Sequence, residues 1–222
     1  MVSVPWGPSA LPARVSPASG EDGFACPRLR PFVESWVVLL LQTRGLISPD
    51  RHLERWIVHH RAGWLNWLFE TLSRVGTLGA IWIAIAFVLA FVWRRWGVLV
   101  VTAASVAVSD LAATGLKSVI DVQRPSGRFA EPRTLVPAPH DHSFPSGHAA
   151  TSFAGATVLS AFVPRWTPAW FLLAVAIAFS RVYVGVHYPL DVVGGAVLGL
   201  VIALLLLVAS RRRSRGGTRS GR

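Results

Sequence analysis

From residue 75 onward the chain is a series of apolar runs separated by short polar breaks. Residues 75–93 carry no charge, residues 96–116 carry only Asp110, and residues 149–163 end at Pro164-Arg165. Residues 166–186 are interrupted only by Arg181 near their end, and residues 192–210 are uncharged and stop at Arg211-Arg212-Arg213. A helix needs ~20 apolar residues to cross the hydrocarbon core, and each run reaches or approaches that length with tilt or extension. The pattern predicts five membrane-spanning helices. An earlier run, residues 32–47, is bracketed by Glu34 and Arg44; it spans if Glu34 sits at one interface and the helix continues to Ile47. Ser48-Pro49-Asp50 reads as a helix start, with a capping residue, a first-turn proline and an acid. Residues 51–73 are amphipathic, with Trp56, Trp64 and Trp67 among Arg55, His59, His60 and Arg61, and predict one helix lying in the headgroup layer. The expected fold is an all-α polytopic transmembrane bundle of six spans, the first one weak, plus an extracytoplasmic interfacial helix.

Charge placement orients this bundle. The Arg94-Arg95 turn, the Arg165 turn and the arginine-rich end fall on one side if the spans alternate, and the positive-inside rule makes that side the cytoplasm. Residues 117–148 and the segment around His187 then face the other side together. Residues 1–30 are rich in Pro, Gly, Ser and Ala and predict a disordered tail; residues 31–210 form the membrane domain and residues 211–222 a basic cytoplasmic tail.

Composition agrees with a membrane protein. Hydrophobic residues make up 52% of the 222 residues and charged ones only 15%, against about 25% in soluble domains. The formal net charge of +11 comes almost wholly from arginine, Lys117 being the only lysine. Those arginines sit mostly at the ends of apolar runs, which fits topology signals and lipid headgroups rather than nucleic acid. Cys26 stands alone and permits no intramolecular disulfide. Gly195-x-x-x-Gly199 suits either a homodimer seam or internal helix packing, the second being the commoner use.

Three polar clusters fall in the outward-facing segments. Lys117 is followed after six residues by Arg124-Pro125; a lysine is a flexible point charge and an arginine a planar fork matched to phosphate oxygens. Pro145-Ser146-Gly147-His148 directly precedes an apolar helix, where serine caps, glycine admits close approach, and free amides bind anions. Ser180-Arg181-x5-His187-x3-Asp191 supplies a cation, an imidazole and a carboxylate. If a helix begins near Pro189, Asp191 reaches back to one ring nitrogen of His187 and leaves the other free. Three cations and an amide nest around two histidines are what phosphoryl transfer requires. Asp110 lies two turns before Lys117 on the same face, where it either pairs with a neighbouring cation or lines the site.

In order and in every motif position, these three clusters resemble the signature motifs of the type 2 phosphatidic acid phosphatase superfamily, a resemblance that extends over roughly residues 48–210. It implies an integral membrane phosphatase acting on a lipid phosphate or diphosphate, without metal or other cofactor. Lys117, Arg124 and Arg181 would hold phosphate oxygens with Ser146 and the Gly147 amide. His187 would attack phosphorus, Asp191 would orient it, and His148 would protonate the leaving oxygen and then activate water. Candidate substrates are polyprenyl phosphates and diphosphates, phosphatidic acid and phosphatidylglycerol phosphate. Arg128, Arg133, His140 and His142, in the loop before Pro145, are candidates for choosing among them. Two alternatives stay open: a transferase of the same family, and a metal-binding or transport protein in which His140, His142, His148 and His187 gather around an ion. The second lacks ligand-pattern spacing and cysteines.

Overall fold

The structure is a computed structural model that describes residues 44–216. The expected disordered tail, most of the first span at residues 32–47 and the last six residues lie outside them. Helix α1 runs Arg44–His59, α2 Gly63–Val75, α3 Ala80–Trp93, α4 Trp96–Lys117, α5 Pro125–Arg128, α6 Gly147–Phe162, α7 Thr167–Tyr183 and α8 Pro189–Gly216. Single 3-10 turns precede α3 and α7, and the described residues contain no strand.

Helix α6 is the hub. It packs against α4, α7 and α8, and ten of its residues are buried. Small side chains make this possible. A Cβ on Gly195 would lie 2.3 Å from the Ser146 carbonyl, and one on Gly199 would lie 2.0 Å from that of Ala150. Both glycines of the Gly195-x-x-x-Gly199 stripe therefore seat α8 against α6, which is internal packing. Around this hub, Phe91, Leu111, Leu172 and Leu205 are among many large apolar side chains left exposed, as expected of surfaces that face lipid.

Three described helical segments are long and apolar enough to cross a membrane: Trp96–Lys117, Pro164–Tyr183 and Pro189–Arg212. A fourth arises if α2 and α3, bent by 56° at a short break, form one span. Residues 75–93 are thus not one straight helix. Leu78 and Gly79 both have positive φ, 52° and 66°, which breaks the helix before Ala80.

The amphipathic stretch also differs from expectation. Residues 51–73 form two helices broken at residues 60–62. Arg61, in that break, donates from Nε to the Tyr183 carbonyl at 2.7 Å and from Nη1 to the Arg133 carbonyl at 2.8 Å. The corner is held by contacts distant in sequence. Nor does Ser48-Pro49-Asp50 begin a helix: α1 starts at Arg44 and contains Pro49. Asp50 serves α8 instead, its Oδ1 accepting from the Leu190 amide at 2.9 Å. Partial burial raises the Asp50 carboxyl to about 6 against the helping Leu190 hydrogen bond.

Candidate active site

Each motif stands at the end of a helix. Lys117 closes α4, Arg124 is the residue before Pro125 at the start of α5, Ser146 caps α6, Arg181 lies in the last turn of α7, and Asp191 lies in the first turn of α8. A helix end lets a polar side chain reach a common centre while the apolar body of the helix stays in the bundle. His187 sits on the turn between α7 and α8. Gly185 makes that turn with φ +83°, and a Cβ there would meet Arg61 Nη2 at 2.7 Å. The amides of Val186 and His187 fold back on the Arg181 carbonyl at 3.2 and 3.3 Å. This is how five intervening residues bring Arg181 and His187 together.

The hydrogen bonds of His187 define its tautomer. Arg124 Nη1 lies 3.1 Å from Nε2, and a guanidinium has only protons to give. Nε2 therefore accepts, and the ring proton is on Nδ1. That nitrogen faces Asp191 Oδ2 at 3.3 Å and Ser143 Oγ at 3.4 Å. Asp191 Oδ2 is itself held by the Tyr188 amide at 2.8 Å and by Ser143 Oγ at 2.5 Å. The Asp191 carbonyl accepts from the Ser146 amide at 2.9 Å, tying α8 to the cap of α6. His187 is buried, and burial together with Arg124, Arg181 and Lys117 holds its pKa well below the ordinary 6.5. The ring is neutral, with an unprotonated Nε2.

His148 follows the same logic from the other side. Its Nε2 lies 3.1 Å from the Ser73 carbonyl, which can only accept, so Nε2 carries a proton and Nδ1 is left for the site. Ser73 also accepts at Oγ from Arg181 Nη1. One residue of α2 thus braces both a histidine and a cation. Ser146 Oγ accepts from the Ala149 amide at 3.5 Å, the cap predicted for α6. Beside it, a Cβ on Gly147 would find Asp110 Oδ1 as its nearest neighbour, at 3.5 Å. Asp110 lines this end of the bundle.

Lys117 and Arg124 share a partner that sequence reasoning passed over. Asp141 accepts from Lys117 Nζ at Oδ2 and from Arg124 Nη2 at Oδ1, each at 2.7 Å. Burial alone would raise its carboxyl, but these two hydrogen bonds and charges hold it down at about 2. Ser73 and Ser143 were also missed. Asp141 and Ser143 stand just before the Pro145–His148 motif, so proximity was the available signal; Ser73 lies 108 residues from Arg181 and offered none.

Two of the four loop residues pair away from the site, while Arg128 reaches the Tyr188 side chain, beside His187. His142 pairs with Asp121 at 3.0 Å on the surface, and Arg133 with Glu131 at 3.5 Å. Arg133 lines a separate cavity of about 290 Å³ with Glu54, Arg55, Ser126 and Thr134. Of the four histidines of the metal alternative, His142, His148 and His187 have different partners, and among the described residues no group of three or more His, Cys, Asp or Glu could hold an ion.

Residues 96–215 match the PAP2 superfamily, more than half the chain. The chain belongs to that superfamily. The undecaprenyl-diphosphatase of Sulfolobus acidocaldarius is similar, 35% identical over 163 residues, covering 72% of this chain and 77% of its own. Among solved structures, LpxE of Aquifex aeolicus is similar with TM-score 0.63 and 29% identity, covering 70% of this chain and 93% of that one. A PAP2-type phosphatidylglycerolphosphate phosphatase of Bacillus subtilis is similar with TM-score 0.62 and 25% identity, covering 83% and 97%.

Proposed function

We propose that this PAP2 protein is an integral membrane hydrolase that removes a terminal phosphate from a lipid phosphate or diphosphate through a phosphohistidine on His187. Membership of a phosphatase superfamily supports the reaction class; the neutral, Asp191-backed His187 supports the mechanism. Lys117, Arg124 and Arg181, with the amides at Gly147, take the phosphate oxygens. His187 Nε2 attacks phosphorus as the bond to the lipid oxygen breaks, and positive charge developing on the ring is offset by Asp191 through Nδ1. His148 enters this step as the imidazolium, stabilised by the negative charge of the bound phosphate, and its Nδ1 gives a proton to the leaving oxygen. In the second half, neutral His148 takes a proton from water, the hydroxide attacks the phosphohistidine, and phosphate and neutral His187 are released. Charge stabilisation falls to the three cations, so activity is expected to persist in EDTA.

The lipid tail is held by a six-span bundle whose first span lies in residues 32–47, and the site opens on the extracytoplasmic face. Arginines at the 94–95 turn, at Arg165 and at the chain end support that orientation. The observation that carries this reading is the seating of His187 between Arg124 at Nε2 and Asp191 at Nδ1. Phosphate release should be measured across polyprenyl diphosphate, polyprenyl phosphate, phosphatidic acid and phosphatidylglycerol phosphate, with and without vanadate. Vanadate-sensitive release from at least one lipid is expected; none from any would end the proposal.

A further inference from the structure

All three nitrogens of Arg124 are occupied. Nε donates to the Asp141 carbonyl at 2.9 Å and Nη2 to the Asp141 carboxylate at 2.7 Å. Nη1 donates to the Val186 carbonyl at 2.9 Å and faces His187 Nε2. Lys117 Nζ is bound to the other oxygen of the same carboxylate. Two oxygens of one anion thus bridge two cations, as a phosphate held there would.

Exposure shows which partner fronts the outside. The side chain of Asp141 is 46% exposed, against 13% for Lys117 and 4% for Arg124. Asp141 also lies in the irregular segment between α5 and α6, so its side chain can swing away without dismantling a helix. We infer that Asp141 is a displaceable internal anion that makes the site select terminal phosphates over the phosphodiester headgroups of the surrounding bilayer.

The selection follows from charge. A phosphodiester carries one negative charge, the same as the Asp141 carboxylate, which is tethered and so competes at an effective concentration in the millimolar range or above. Exchanging one for the other gains the cations nothing. A terminal phosphate monoester has a second pKa of about 6 and is largely dianionic at neutral pH. Coulomb attraction scales with the product of charges, so at equal distance it gains about twice as much from Lys117 and Arg124. A bilayer presents diester headgroups in large excess, and uncovered cations at its surface would be occupied by them.

This inference rests on Lys117 and Arg124 being the phosphate-binding cations, and its test separates the two. Short-chain phosphatidic acid is hydrolysed in detergent micelles while the mole fraction of phosphatidylglycerol, a diester, is raised. Wild type should show little change in apparent KM. Asp141→Asn should show competitive inhibition, with apparent KM rising about tenfold, a factor equivalent to ~1.4 kcal/mol, and with tighter inhibition by inorganic phosphate. Asp141→Ser is a second variant should the first not fold, and Asp141→Glu should restore wild-type behaviour. Equal diester inhibition of wild type and variant, or a loss confined to kcat, would overturn the inference. Unchanged phosphate inhibition in Lys117→Ala and Arg124→Ala would instead remove the underlying assignment.

Discussion

At the scale of single residues, proton positions carry the chemistry. Arg124 and the Ser73 carbonyl leave each histidine one tautomer in its neutral form, so His187 presents a lone pair at Nε2 and His148 an unprotonated Nδ1 that must take up a proton before it can give one. Because burial and three cations depress the His187 pKa, the ring stays neutral as pH falls through 6.5. The acid limb of kcat/KM due to this group is expected below the ordinary histidine range; a limb assigned to His187 at or above 6.5 would contradict the depressed value. Ser143 gives a second prediction. It holds the oxygen of Asp191 that faces His187, and a hydrogen bond to a charged group contributes ~1.5–3 kcal/mol. Ser143→Ala should lower kcat about tenfold or more, with KM little changed; steady-state kinetics would show it. Lys117, Arg124, Ser146, Gly147, His148, Arg181, His187 and Asp191 could be proposed from sequence because each lies in a compact motif. Asp141, Ser143 and Ser73 were not, because their value depends on partners that only the folded loops bring near.

At the scale of elements, apolar runs were readable and their breaks were not. Hydrophobic length located α4, α7 and α8, whose cores have one environment throughout. The bends at residues 60–62 and 76–79 arise from contacts with α7 and the 125–146 loop, and from positive φ, neither of which leaves a periodic trace. Helix α1 shows the same limit. Its Glu54 is fully buried and neither carboxylate oxygen has a hydrogen-bond partner among the described residues. Burial raises its carboxyl from 4.5 to about 7. The folded state therefore binds more protons than the unfolded state between those values, and this contribution to stability is present below 4.5 and lost as pH rises through about 7. Glu54→Gln should raise Tm relative to wild type near pH 8 and leave it little changed near pH 5. Close packing of α8 on α6 gives a sharper expectation. Gly195→Ala drives a methyl into the Ser146 carbonyl. Overpacking of this kind costs ~1–3 kcal/mol, and because Ser146 caps the phosphate-facing end of α6, kcat should fall along with Tm.

At the scale of the whole molecule, five helix ends, one loop and one turn converge on a polar centre while the outer faces stay apolar. That division follows from the cost of burying charge in hydrocarbon, which confines ionisable groups to helix ends and to the bundle interior. It also explains why six spans could be proposed from sequence while a helix as short as α6 needs the surrounding bundle to make its place clear. Orientation is testable directly. In a Cys26→Ser background, single cysteines at Ser126 and at Arg165 should react with an impermeant maleimide from opposite sides of sealed vesicles, Ser126→Cys from the extracytoplasmic one. Labelling of both from one side would contradict the proposed topology.

The proposed mechanism turns on a covalent bond between phosphate and His187. It can be tested most directly by rapid-quench capture with a polyprenyl diphosphate labelled in its terminal phosphate, whose leaving phosphate needs little protonation, using His148→Ala to slow hydrolysis of the intermediate. The predicted result is a near-stoichiometric phosphoprotein, stable in alkali and labile in acid, that disappears when His187→Ala is added. A phosphoprotein that persists without His187, or catalysis that survives its removal, would contradict the account.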